Sequence, residues 1–267
     1  MDSSFPTALT ISALYSTGNR YAQVDLNTFN VLKVYGISVL TAILGNDFSI
    51  NQHELAISST PVNRQFGTIL NEFDVPSCKI GYLPNIELIT AVVQACRNQS
   101  LGVVVLDPVL FSDSGKPLLS EAAFSTYIKA LLPLADVITV DVTEAESLVN
   151  FTILNDDDVI HAANELRGIG VQNVFIHGDL PGVKGEPARD YVLLANGDDF
   201  WLTDEGKAQK YTRSLSQFDA LSACITAKLA QQVKVEMAIR SAKEFSSKLL
   251  VNPIHPAENV SSLNFWN

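Results

Sequence analysis

Short apolar runs alternate along this chain with segments whose apolar residues recur every three or four positions. That alternation predicts a mostly parallel sheet packed by helices. Ala8 to Ala13 reads as a first strand, followed by a helix around Leu26 to Val34 and an apolar run from Ile37 to Leu44. Between Pro61 and Phe73, the residues Val62, Phe66, Ile69, Leu70 and Phe73 share one helical face. Asn85 is placed to cap a further helix, in which Ile86, Ile89, Val93 and Cys96 recur at helical spacing.

Val103 to Leu106 is uninterruptedly apolar, as a strand buried on both faces is, and ends at Asp107-Pro108. Val137 to Val140 repeats the pattern and ends at Asp141. Open α/β sheets bind ligands beyond the carboxyl ends of their strands, so Asp107, Asp141 and Glu144 could hold a hydrated Mg²⁺. The same spacing equally suits an N-cap at Asp141 and a dipole-favoured acid at Glu144, with Thr143 to Glu146 reading as a capping box. Val174 to Ile176 gives another strand, ending at His177-Gly178, and Tyr191 to Leu194 pairs with Phe200 to Leu202 through an Asn196-Gly197 turn. Helices near Ala220 to Gln232 and Val235 to Leu250 close the chain, and the tail beyond Pro253 and Pro256 reads as irregular. Asp219, just ahead of the first of these helices, is either a proton acceptor for a substrate hydroxyl or a helix cap.

The residues form one domain over 1–267, with no internal repeat; the stretch from Leu180 to Asp190 reads as a mobile excursion within it. A net charge of −11 argues against nucleic acid and anionic membranes, which need clustered Lys and Arg. It leaves room for a nucleotide, because a local cradle of backbone N–H groups holds phosphate inside a negative protein. Cys78, Cys96 and Cys224 and the four scattered histidines show no metal-ligand spacing. No apolar run approaches the ~18 residues that span a bilayer, and the first residues lack the features of a signal peptide, so a cytoplasmic location is expected. Neither Gly-x-Gly-x-x-Gly after the first strand nor a Walker-type Gly-x-x-x-x-Gly-Lys-Ser/Thr occurs. Pattern alone reaches an open α/β sheet with acids at its strand ends, and no reaction.

Nine ordered stretches carry a resemblance over nearly the whole chain. Among them are Ala8-Leu9-Thr10-Ile11, Gln23 to Phe29, Val34 to Val39, Lys79-Ile80-Gly81, Val105 to Val109 and Glu144-Ala145-Glu146. Leu131 to Ala135, Leu221-Ser222-Ala223 and Ala242-Lys243-Glu244 complete the set. Together they resemble the hydroxymethylpyrimidine and phosphomethylpyrimidine kinases. The resemblance implies a ribokinase-like three-layer α/β/α fold with a mostly parallel central sheet, and ATP with Mg²⁺ as phosphoryl donor. It also implies a pyrimidine-type small-molecule substrate, a place in thiamine biosynthesis and a homodimer. Pyridoxal kinases share that fold and are the nearest alternative substrate class. By resemblance Asp25 hydrogen-bonds the pyrimidine, Val109 lines its pocket, and Asn46 and Tyr82 stand where the family has Gln and Met.

The phosphate end departs from the family. A Gly-Thr-Gly-Cys turn that forms an anion hole there is Ser216-Gln217-Phe218-Asp219 here, with Asp219 at the catalytic position. The glycine-rich turn after the first strand is Leu14 to Tyr21, and two family lysines are Asp113 and His177. Glycines in such turns let the backbone approach phosphate, often at φ > 0. Arg20 is a candidate replacement cation. Two readings stay open: an active kinase with an altered phosphate cradle, and a binding or regulatory protein, a pseudoenzyme, that kept the fold.

Overall fold

The computed structural model describes residues 5–46, 52–98, 101–112, 114–178, 189–203, 215–258 and 260–266. In chain order these form β1 (Thr7–Tyr15), α1 (Ala22–Val31), β2 (Tyr35–Asn46), β3 (Gln52–Ala56), α2 (Ser59–Glu72), β4 (Ser77–Ile80) and α3 (Ile86–Asn98). There follow β5 (Val103–Leu106), α4 (Glu121–Thr126), β6 (Val137–Asp141), α5 (Val142–Val149), α6 (Asp156–Ile169) and β7 (Asn173–His177). The chain ends with β8 (Arg189–Leu193), β9 (Asp199–Thr203), α7 (Leu215–Ala230), α8 (Val235–Leu249), β10 (Ile254–Ala257) and β11 (Val260–Ser262).

Nine strands form one sheet in the order β3-β2-β1-β4-β5-β6-β7-β8-β9. The six from β2 to β7 are parallel, while β3, β8 and β9 join antiparallel at the two edges. The two-residue period of the strands sends alternate side chains to opposite faces. Leu106, Ile138 and Val174 enter a core built with α2 to α6, whereas Val105, Val137 and Phe175 enter one built with α7 and α8. Helix α1 packs on that second side through Phe29, against Ala223 and Ala227 of α7. Helices therefore cover both faces of a mostly parallel sheet, as the alternation of patterns predicts.

Gly81 keeps β1 and β4 close where it matters. A Cβ there would lie 2.6 Å from Ser12 Oγ, the atom that instead accepts the Tyr82 N–H at 3.2 Å.

Several local expectations are corrected. The capping box is formed by Asp141 and Glu144 rather than from Thr143: Asp141 Oδ1 accepts the Glu144 N–H at 2.7 Å and Glu144 Oε2 accepts the Asp141 N–H at 3.3 Å. Asp219 does not precede its helix, because α7 already begins at Leu215. With no glycine among Ser216 to Asp219, nothing favours a turn over a continued helix. The tail is not irregular throughout, since β10 and β11 pair as an antiparallel hairpin. Strand β3 and helix α6 were not anticipated, although Asn155 capping Asp158, with three acids in the first turn, is a strong helix start. The expected excursion lies outside the described residues up to 188, and Arg189 and Asp190 open β8. Among the described residues, no helix is long and apolar enough to cross a membrane.

Candidate active site

From β1 the chain moves to β2 on one side and returns to β4 on the other, so the strand order reverses between β1 and β4. Such a reversal opens a crevice at the carboxyl ends of the strands. Thr10 of β1 and Lys79 of β4 are cross-strand partners there, and both reach Asp25 of α1. Thr10 Oγ1 donates to one carboxylate oxygen at 2.5 Å and Lys79 Nζ to the other at 2.6 Å. Lys79 Nζ also stands 3.0 Å from Asp107 Oδ2 and 3.8 Å from Asp219 Oδ1, and donates to the Asp219 carbonyl at 3.1 Å. Three carboxylates from three elements thus converge on one ammonium group, and all four side chains are buried.

Burial alone would favour loss of the Lys79 proton, but Asp25, Asp107 and Asp219 outweigh it and hold the group as ammonium. One cation does not offset three acids. Burial raises Asp25 to about 7 against the opposing pull of Lys79, and Asp219 adds to the rise. Burial likewise raises Asp107, which accepts hydrogen bonds from Ser222 Oγ at 2.7 Å and Thr139 Oγ1 at 3.1 Å. Asp219 has a second partner: Arg20 Nε lies 2.9 Å from its Oδ2, and the Tyr21 N–H donates to the same oxygen at 3.2 Å.

A cavity of about 330 Å³ opens beside this cluster, lined by Asp107, Val109, Asp141, Glu144 and Asp219 together with Arg20, His177 and Phe218. Burial pushes Glu144 well above the usual carboxylate range, with Asp141 and Asp107 adding, and burial raises Asp141 as well. Glu144 Oε1 and Oε2 accept backbone N–H groups of Leu110 and Asp141, each at 3.3 Å. No three His, Cys, Asp or Glu side chains form a closed ligand set among the described residues. The carboxylate oxygens on the cavity wall do suit a hard cation that keeps much of its water and needs only one or two protein ligands. A larger hollow of about 900 Å³ lies at the opposite, amino ends of the strands, between Phe5, Phe73, Pro76 and Gln231, away from the acids.

Residues 16–264 match the family described as phosphomethylpyrimidine kinase. A hydroxymethylpyrimidine/phosphomethylpyrimidine kinase of Haemophilus influenzae is 34% identical over 97% of this chain and 96% of its own length. The chain belongs to the phosphomethylpyrimidine kinase family. A pyridoxine kinase of Bacillus subtilis is also 34% identical, over 89% of this chain and 88% of its own. The crystal structure of a Bacillus subtilis pyridoxal kinase in complex with ADP superposes with a TM-score of 0.88 at 30% identity, covering 98% of both chains. The fold is accordingly ribokinase-like.

Within this phosphomethylpyrimidine kinase frame, Asp25, Asp107 and Asp219 come together around Lys79, and Asp141 and Glu144 share a cavity wall with two of them. Tyr82 and Val109 meet in an aromatic cluster with Tyr15 and Tyr21. Tyr82 Oη donates to Glu54 at 2.9 Å, which pins its ring to β3. Asn46 closes β2; its side chain, like Asp113, is outside the described residues. Ser216, Gln217 and Phe218 lie in the first turn of α7. Gln217 is buried, and its Oε1 has no hydrogen-bond partner among the described residues. The Phe218 ring stacks on His177, with centroids 3.9 Å apart and planes 20° apart, and both line the cavity with Asp219.

Sequence reasoning missed Lys79, Tyr21, Tyr15 and Glu54. Lys79 lies inside Ser77-Cys78-Lys79-Ile80, a short strand buried at every position, and a lysine there requires an internal partner.

Proposed function

We propose that this chain transfers the γ-phosphoryl group of ATP to the hydroxymethyl group of a pyrimidine-type heterocycle, or to its monophosphate, in thiamine biosynthesis. One observation carries the reading: Asp219 sits on a cavity wall shared with Asp107, Asp141 and Glu144, at the reversal of strand order. Asp219 takes the proton of the substrate hydroxyl as its oxygen bonds to the γ-phosphorus. The bond from that phosphorus to the bridging oxygen breaks, its electron pair leaves with ADP, and Asp219 then releases the proton to solvent. Little covalent work falls to the protein in such a transfer, so positioning and charge stabilisation dominate. Arg20 and Lys79 supply positive charge beside the base, while the first turn of α7, Ser216 to Phe218, and His177 border the phosphate. Asp107, Asp141 and Glu144 would hold a magnesium ion through carboxylate oxygens and water, and the ion would offset phosphate charge. Asp25, Tyr82 and Val109 border the ring, and the resemblance alone adds Asn46 to them.

The protein acts in the cytoplasm as a homodimer in this reading. Exposed Ile43 and Leu55, cross-strand partners on β2 and β3, offer an apolar patch for a second copy. Size-exclusion chromatography with light scattering tests that part.

A second reading, a ligand-binding relative without transfer, is favoured by the Phe218–His177 stack and by the helical path of Ser216 to Asp219. Incubation with Mg·ATP and hydroxymethylpyrimidine, followed by phosphorus NMR, separates the two. Formation of the pyrimidine monophosphate supports the kinase. Absence of any phosphorylated product from hydroxymethylpyrimidine, its monophosphate or pyridoxal, with no calorimetric binding of Mg·ATP, leaves the second.

A further inference from the structure

Arg20 lines the cavity beside the acids, and its neighbour Tyr21 packs among aromatic side chains. Tyr21 is buried in a cluster with Ala13, Ala42, Leu44 and Tyr82, and Val109 packs against that cluster. Its ring meets Tyr15 edge-on at 5.7 Å between centroids and lies tilted against Tyr82 at 5.9 Å. The backbone beneath it is strained: Tyr21 has φ 54 and ψ −132, a conformation that glycine adopts readily and a tyrosine does not. Strain of this kind persists only where surrounding contacts over-determine it, and it gathers at sites that switch. Here the contacts are identifiable. The Arg20 guanidinium lies over the Tyr21 ring, 4.6 Å from its centroid, and Arg20 Nε is 2.9 Å from Asp219 Oδ2. The Tyr21 N–H holds the same carboxylate oxygen, and its carbonyl accepts the Asp25 N–H at 3.0 Å.

From this arrangement we propose that Tyr21 is an internal occupant of the heterocycle site. Its ring stands where a substrate ring lies, Arg20 locks it there by pairing with Asp219, and a ligand ring enters only by displacing it. The location of the ring site rests on the proposed kinase reading; the closure itself rests on the packing and backbone of Tyr21. An aromatic ring of comparable size is the occupant that fits, because Tyr21 meets Tyr15 in an edge contact and Tyr82 at a tilt, arrangements that another aromatic ring can adopt. Displacement also withdraws Arg20 from Asp219, so the ring that opens the site frees the base beside it. Tyr21 thereby sets which rings bind: a ligand must outbid a tyrosine already in place.

Isothermal titration of hydroxymethylpyrimidine and, separately, of pyridoxal, without nucleotide, tests this by the sign of the change. Tyr21→Gly removes the occupant and suits the positive φ, so affinity for at least one of the two rings rises by about tenfold or more, as when a closed state is depopulated. Arg20→Met leaves ring and backbone in place but releases the lock, and gives a smaller gain. Tyr21→Phe keeps the occupant and matches the parent. Unchanged or weaker binding in both the glycine and the methionine variants overturns the proposal, since a tyrosine that forms a wall for substrate loses affinity when removed. Should the glycine variant not fold, the methionine variant decides alone. The titration reads no turnover, so tighter binding here alongside no transfer in the phosphorus NMR assay sinks the kinase reading and leaves this one. Transfer accompanied by unchanged affinity in the variants does the reverse.

Discussion

Lys79 of β4 and Asp25 of α1 form an ion pair at 2.6 Å in which neither side chain is exposed to solvent beyond 1%. Removing one member of a buried pair leaves the other charge without compensation. Lys79→Met would leave Asp25, Asp107 and Asp219 facing one another. The expected loss is about 3 to 5 kcal/mol of folding stability, read from urea denaturation at neutral pH. An unchanged midpoint would show that the lysine is not what holds the three acids together.

Asp25 adds a pH dependence of defined sign. Burial raises it from 3.8 to about 7, so between those values the folded state binds a proton that the unfolded chain has released. Its contribution to stability is fully present below its unfolded value and is lost as pH rises through about 7. Asp25→Asn keeps a neutral group beside Thr10 and cannot lose that proton. The stability of the asparagine variant relative to the parent should therefore increase from pH 5 to pH 8, in roughly the sense expected from linkage. A constant difference over that interval would mean that Asp25 titrates like an exposed carboxylate.

Much of the frame was legible from the chain. The apolar runs ending at Asp107 and Asp141 are strands β5 and β6, because a strand covered on both faces needs apolar residues at every position. The reach of Lys79 was not legible, since its three partners come from α1, the end of β5 and α7, far apart in sequence. The start of α7 was misplaced for a local reason: Ser216 to Phe218 are weak signals for either helix or turn, and only the missing glycines tilt them to helix. Tyr21 was half legible: the resemblance puts it in a turn where the family has glycines, often at φ > 0, but nothing in the chain shows where its ring packs.

Asp219→Asn preserves the shape of the base and removes its capacity to accept a proton. Phosphoryl transfer to hydroxymethylpyrimidine should fall by about 100-fold or more, the usual weight of a positioned general base. Mg·ATP affinity should stay within a few-fold of the parent. Arg20 would also lose its anionic partner, so affinity for the nucleotide phosphates rises slightly if it changes at all. Undiminished turnover removes Asp219 from the mechanism.

Phe218→Ala addresses the phosphate end. The ring stacks on His177 at 3.9 Å and lines the same cavity as Asp219, so its removal enlarges the hollow beside the base. Alanine is the strongest helix former, so α7 keeps its path from Leu215 and the change is confined to volume and to the imidazole. Lost stacking costs about 0.5 to 1.5 kcal/mol, a drop of a few degrees in melting temperature. His177, freed of the ring, can then turn an N–H toward an incoming phosphate, and nucleotide affinity should rise several-fold in calorimetry with Mg·ATP. A fall in affinity would instead make Phe218 a wall that the nucleotide rests on, and the stacked pair a part of the binding site rather than an obstruction of it.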